Sequence, residues 1–307
     1  MTKQIKADLM LLMITVFWGA SYMLTKLGLG GLEPFNLTAI RFMIAFVIAA
    51  AVFHKQILGA DKKTIKYAFI LGLILLGMFI SMTFGLKYTT ASNAGFLISL
   101  SVVLIPIISF VFLKQKIEKS AAVGVFLALI GIALLTLDAQ FKINIGDLLC
   151  ILCAVFCSIH VIVIGIFTKK VDSIALGALQ LGFAGIFSMV ISLFTENMKL
   201  PDTALSWFSV LMLSVFCTAI GYIVQSAAQQ YTSATHTGLI LSLEPVFSAV
   251  LAYMFLGEML APRGYAGAAI LMLSVLIAEL DFKNMFRSNK AENISEVKIE
   301  NRTDGTI

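Results

Sequence analysis

Charge is what this chain has least of. Only 13% of its 307 residues are Asp, Glu, Lys or Arg, about half the share of an ordinary globular domain. That shortage excludes a soluble domain of ordinary composition. Cysteine is also scarce: the four residues, Cys150, Cys153, Cys157 and Cys217, all fall in apolar stretches, so no disulfide framework is implied. No GxxxxGK[ST] stretch is present, so direct ATP drive is not encoded in the chain. The formal charge of +5 is read as a topology signal and gives no reason to expect nucleic acid. No cofactor is expected.

What is present is apolar surface in long blocks. Residues of the hydrophobic class make up 60% of the chain, and a helix needs about 20 of them in sequence to cross the hydrocarbon. Ten blocks approach that length: 8–28, 36–53, 67–86, 92–113, 120–137, 148–168, 174–194, 206–228, 236–256 and 264–280. The first, preceded by Lys3 and Lys6, runs on through "FWGASYMLTK" and reads as a retained helix, since a cleaved signal has a shorter apolar core and a small-residue site.

Basic residues orient the blocks. With the N-terminus inside, the inner side collects Lys3, Lys6, the lysines of 55–66 and of 114–119, Lys169, Lys170 and the basic residues of 283–302. The outer side holds Lys26, Lys87, Lys142, Lys199 and Arg263. Cytoplasmic loops collect Lys and Arg, so both termini are expected in the cytoplasm. The final stretch, 281–307, is polar and reads as a solvated cytoplasmic tail. Its Asn293 and Asn301 triplets resemble glycosylation sites only by chance on that side.

The blocks repeat. "YTTASNAGFLISLSVV" from Tyr88 matches "YTSATHTGLILSLEPV" from Tyr231 at an offset of 143, and "DLMLLMITVF" from Asp8 matches "DLLCILCAVF" from Asp147 at an offset of 139. The expected organisation is a five-helix repeat over 1–137, an extracytoplasmic link over 138–146, and a second five-helix repeat over 147–280. Because five is odd, the second copy enters the membrane from the opposite side. Such inverted repeats belong to secondary transporters, whose substrate site lies near the midplane between the halves. The fold class is therefore an all-α integral membrane protein of ten helices.

"WGASYMLTK", "QQYTSATHTGLILSLEPVFSAVLAYMFLGEML" and "GYAGAAILMLSVLIAE" resemble the EamA family of the drug/metabolite transporter superfamily, across residues 8–280. The resemblance implies a ten-helix exporter of amino acids, other small metabolites or drugs. The first half departs from the pattern, with Gln115 in "KQK" where family repeats often carry Gly-Glu.

Polar residues inside the blocks are the site candidates. Glu244 interrupts an apolar run and is followed by Pro245, which has no N–H for the carbonyl of Leu241 and so kinks or breaks the helix. Glu244 is read either as a cavity carboxylate that binds a cation or carries a coupling proton, or as a structural partner for a neighbouring helix. Arg41, about one turn into its block, either snorkels to headgroups or clamps a substrate carboxylate. Lys26 carries the same two readings, and the family resemblance favours a lysine closing the Trp-Gly segment. Trp18 and Tyr22 share a helix face, and with Tyr222 they either line a pathway or pack. Gln180 occupies the slot of Arg41 at the 139 offset, which suggests that both point inward. Tyr222, Gln225, Ser226 and Gln229 form a polar face of the eighth helix. Asn93 and His236 share a slot at a helix start, where capping is the ordinary role. Cys150, Cys153, Cys157 and His160 lie on one face with soft-metal spacing, against which stands simple packing, and no metal is expected. Ala178/Gly182 and Gly264/Ala268 allow close helix contact, within the monomer or in a homodimer.

The function expected is export of small metabolites, amino acids first, across a bacterial cytoplasmic membrane by alternating access, with proton coupling through Glu244. The alternative within the fold is a multidrug or organic-cation exporter. A different class, a membrane-embedded metal-dependent enzyme, needs a cluster that only the Cys/His face approaches.

Overall fold

A computed structural model describes residues 3–113, 144–241 and 243–279, with 123, 126, 127, 129–131, 133 and 134. The fifth block lies largely outside those residues, as does most of the 138–146 link, and the tail from 281 lies wholly outside them. The described residues contain helices and no strand. They are α1 (Lys3–Gly28), α2 (Pro34–Val52), α3 (His54–Leu58), α4 (Lys62–Tyr88), α5 (Ala91–Ile98), α6 (Ser101–Leu113), α7 (Ile145–Phe167), α8 (Ser173–Thr195), α9 (Ala204–Met212), α10 (Gly221–Gln229), α11 (Ala234–Leu241), α12 (Glu244–Leu256) and α13 (Pro262–Glu279). Seven stretches among them are long and apolar enough to cross a membrane, with α5–α6 and α9–α10 each counted as one.

Helix starts follow the turn chemistry of the sequence. Asp61, Thr90, Asn144, Asp172 and Thr203 each accept a hydrogen bond from a backbone N–H two or three residues on, satisfying one of the donors a helix start leaves open. Capping at the fourth block therefore falls to Thr90, not to Asn93. At α2, Pro34 occupies the first turn, and the cap comes from far away: the Glu196 carboxylate accepts from the N–H of Phe35 at 3.0 Å and of Asn36 at 2.7 Å.

Two predicted helices are broken at matching places. The ninth block separates into α11 and α12 between Leu241 and Glu244, with Pro245 in the first turn of α12. The fourth block separates into α5 and α6 at Ser99–Leu100 without a proline at the break. Both breaks are bridged by tighter bonds, Leu100 N–H to Leu97 C=O at 3.2 Å and Leu243 N–H to Ile240 C=O at 3.4 Å, the 3₁₀ pattern that closes a helix end.

The broken helices run antiparallel to each other. Ser248 Oγ donates to the carbonyl of Ala91 at 3.0 Å, and Gly238 abuts Ile105 and Val102. One chain ascends from 91 to 105 as the other descends from 248 to 238. The other packings pair off when the halves are exchanged at the repeat offsets. α1 lies on α10 as α7 lies on α4, α1 lies on α12 as α7 lies on α6, and α2 meets α8. Gly182 gives Phe46 its place, so the Ala178/Gly182 seam is used inside the chain, between α2 and α8.

A wide stretch interrupts the eighth block. Leu213–Ile220, between α9 and α10, is π-helical, a geometry that is rare and concentrates at functional sites.

Candidate functional site

Both helix breaks open onto one interior cavity. Its wall takes Trp18, Ser21 and Tyr22 from α1, Arg41 from α2, Met78, Phe79 and Met82 from α4, and Cys153, Cys157, His160 and Val161 from α7. Tyr222 and Gln225 of α10 complete it, with Ile98, Ser99 and Ser101 at one break and Leu241 and Glu244 at the other. The cavity is contracted, about 40 Å³, room for a few water molecules.

The lining residues come in repeat-related pairs. Trp18/Cys157, Ser21/His160 and Tyr22/Val161 stand 139 apart, and Met82/Gln225, Phe79/Tyr222, Ile98/Leu241 and Ser101/Glu244 stand 143 apart. The wall is therefore drawn from both halves at equivalent positions. The charges break the pairing: Glu244 stands where the first half has Ser101, and Arg41 where the second has Gln180.

Glu244 is half-buried and accepts a hydrogen bond from the Tyr22 hydroxyl. Gly19, one turn earlier on α1, lets α1 and α12 approach closely, since a Cβ there would stand 2.5 Å from Phe247 Cβ and 3.0 Å from the Glu244 carbonyl. Trp18 and Tyr22 are thus cavity residues with specific partners. The Trp18 indole N–H donates to the Cys217 carbonyl at 2.8 Å, and its ring lies 5.2 Å from that of Tyr222.

Arg41 does not snorkel. Only 2% of it is exposed. Its Nε donates to Thr218 Oγ1 at 2.5 Å, and its guanidinium lies 4.5 Å from the centre of the Phe79 ring. The fold closes α4, α8 and the π-helical stretch around α2, so the side chain turns to the interior. Its repeat partner Gln180 is fully buried but stands behind the wall: Gln180 Oε1 accepts from His160 Nε2 at 2.9 Å, and Gln180 Nε2 donates to Ser226 Oγ at 3.4 Å.

The polar face of the eighth block divides. Tyr222 and Gln225 reach the cavity, whereas Ser226 faces Gln180 and Gln229 donates to the Val161 carbonyl at 3.2 Å. The cysteines divide too: Cys153 and Cys157 line the cavity, and Cys150 packs against Gly85. Among the described residues no three His, Cys, Asp or Glu side chains form a metal-binding group.

Lys26 does not line the cavity. Its Nζ lies 2.5 Å from Glu258 Oε1 and donates to the Thr89 carbonyl at 3.3 Å. The other carboxylate oxygen of Glu258 accepts from the N–H of Ala91 at 2.8 Å, at the N-terminus of α5. Gly257, with φ 64°, stops α12 in the left-handed conformation and turns the chain so that Glu258 reaches that site. The ion pair was not legible from spacing, because 232 residues separate its members.

A bundle of apolar helices with an arginine and a glutamate on one interior cavity defines a multi-pass membrane protein built around an internal site. The comparisons agree. The chain matches the EamA-like transporter family over residues 5–137 and again over 144–280, and it belongs to that family. An uncharacterized transporter of Archaeoglobus fulgidus is 32% identical over 278 residues, covering 91% of this chain and 87% of the relative. The uncharacterized transporter YyaM of Bacillus subtilis is 25% identical over 289 residues, covering 90% and 94%. A solved protein crystal structure shares the fold with TM-score 0.69 at 19% identity, over 90% of this chain and 98% of that one.

Proposed function

We propose that this transporter is a secondary carrier that exports small metabolites, amino acids foremost, across a bacterial cytoplasmic membrane by alternating access. Residues 1–137 and 147–280 are then two inverted five-helix units, with both termini in the cytoplasm. The observation that carries the reading is the cavity itself. It sits where two antiparallel broken helices meet, and equivalent residues of both halves line it. Two units packed in this reciprocal way have two arrangements of similar energy, each opening one side.

Glu244 supplies the coupling in this reading. It is an ionisable group within the membrane, reachable from the cavity and held by one phenol. A proton and a substrate amine then compete for the same carboxylate, so inward proton movement drives outward substrate movement. The protein is a carrier and leaves its substrate chemically unchanged. A second reading, an organic-cation exporter, draws on the aromatic rings of Trp18, Tyr22 and Tyr222 in the same wall as Glu244.

Purified protein in liposomes tests both readings, with a pool of labelled amino acids, labelled tetraphenylphosphonium, and an imposed proton gradient. Gradient-driven amino-acid movement supports the first reading and movement of the organic cation alone supports the second. Movement of neither removes the substrate assignment.

A further inference from the structure

Arg41 and Glu244 share a cavity but do not pair. The ion pairs Lys26–Glu258 and Lys87–Glu33 include neither of them. Each cavity charge is held instead by a neutral hydroxyl, Tyr22 on Glu244 and Thr218 on Arg41. A guanidinium 2% exposed and without a carboxylate is an expensive arrangement. Such a group is retained where something else brings the countercharge.

The π-helical stretch explains how Arg41 is held. Thr218 Oγ1 donates to the carbonyl of Leu213, five residues back, at 2.8 Å, and so presents its lone pairs to Arg41 Nε. The adjacent carbonyl, of Cys217, accepts from Trp18. Gly221, one turn on, has no side chain to obstruct that indole, whose Nε1 would stand 2.6 Å from a Cβ there. One widened turn thus anchors two cavity side chains from two other helices. With Nε committed to Thr218 and Cζ 4.5 Å from the centre of the Phe79 ring, the paired Nη groups remain as the fork that matches a carboxylate.

We propose that Arg41 takes the carboxylate of a zwitterionic substrate, and that Thr218 on the π-helical turn is the positioning residue that aims it. This rests on the export reading above and adds its missing half: Glu244 meets the amine, Arg41 the carboxylate, and the substrate bridges two charges that the protein keeps apart.

The test compares each standard L-amino acid with its own amide, which keeps the amine and side chain but lacks the carboxylate. In liposomes containing the full-length protein, the wild type is expected to show a KM for the acid at least about tenfold below that for the amide. Thr218→Val is expected to raise the acid's KM about tenfold, with Vmax and the amide's KM within about twofold of wild type. Thr218→Ser restores the wild-type ratio. Arg41→Gln removes the preference for the acid altogether. As a readout independent of transport, the rise in Tm on adding acid or amide to detergent-solubilised Thr218→Ala shows the same loss of discrimination. An unchanged ratio in both Thr218→Val and Thr218→Ala overturns the positioning role. An unchanged ratio in Arg41→Gln overturns carboxylate recognition while export through Glu244 stands. If the wild type moves no amino acid, the export reading falls and this inference with it.

Discussion

The hydroxyl of Tyr22 on α1 donates to the carboxylate of Glu244 at the head of α12, 222 residues later in the chain. This bond ties the first helix of one half to the broken helix of the other, at the cavity wall. Glu244→Gln keeps the shape and removes the titratable group. Gradient-driven export is expected to fall by about tenfold or more, in line with the loss of a charged hydrogen bond. Exchange of labelled for unlabelled substrate without a gradient should persist at saturating substrate, with a raised KM because the amine loses its partner. Loss of both modes at saturation together with a lowered Tm would make the residue structural.

Tyr22→Phe leaves the carboxylate without its donor. The expected cost is about 1–3 kcal/mol of stability, read as a lower Tm in detergent, and Glu244→Gln should add little to it in the double variant.

Lys26 and Glu258 join the ends of the first and ninth blocks to the start of α5. Glu258→Ala removes both the ion pair and the cap on α5. With the termini in the cytoplasm, as proposed, it is expected to speed labelling of the cavity thiols Cys153 and Cys157 by a membrane-impermeant maleimide applied from outside. The charge exchange Lys26→Glu with Glu258→Lys should restore the pair but not the cap, so protection returns only in part. An unchanged labelling rate in Glu258→Ala would show that this contact does not close the outer side.

At Gly19, α1 comes close to α12. Gly19→Ala forces Phe247 away and is expected to cost about 1–3 kcal/mol, as overpacking does. Gly30→Ala, where only the Leu27 carbonyl is near at 3.2 Å, is the control, and the two Tm values decide.

Asp61 caps α4, accepting from the Thr64 N–H at 2.8 Å and the Thr64 hydroxyl at 2.5 Å. These bonds hold its carboxyl below the usual carboxylate range. The stabilisation is therefore present above the unfolded pKa, about 4, and is lost as pH falls through the lower folded value. Protection of the amides at Lys62–Lys66, relative to their intrinsic exchange rates, should fall in that acid window, and Asp61→Ala should show the reduced protection at neutral pH.

The helices were legible because spanning hydrocarbon demands long apolar runs, and α1, α2, α4, α7 and α8 match their blocks to within a few residues at most ends. The break at Pro245 was legible for a local reason, a missing N–H. Its counterpart at Ser99–Leu100 was not, because no residue there forbids a helix, and the repeat offset was the one signal pointing to it. Arg41 stayed open between two readings, because depth along a helix does not say which way a side chain turns. The π-helical turn has no composition of its own, since Leu213–Ile220 reads as ordinary apolar helix. Thr218 consequently went unnoticed as a partner.

On the export reading, a wall built from equivalent residues of two inverted halves reads like a palindrome, the same from either face of the membrane. Here two letters spoil it, arginine opposite glutamine and glutamate opposite serine. In a carrier of this kind a passenger gripped at both ends cannot turn over between entry and exit. It leaves with the same end toward α2 that it had on arrival. The direction in which the cargo points is then a property of the chain, set by which half carries each charge.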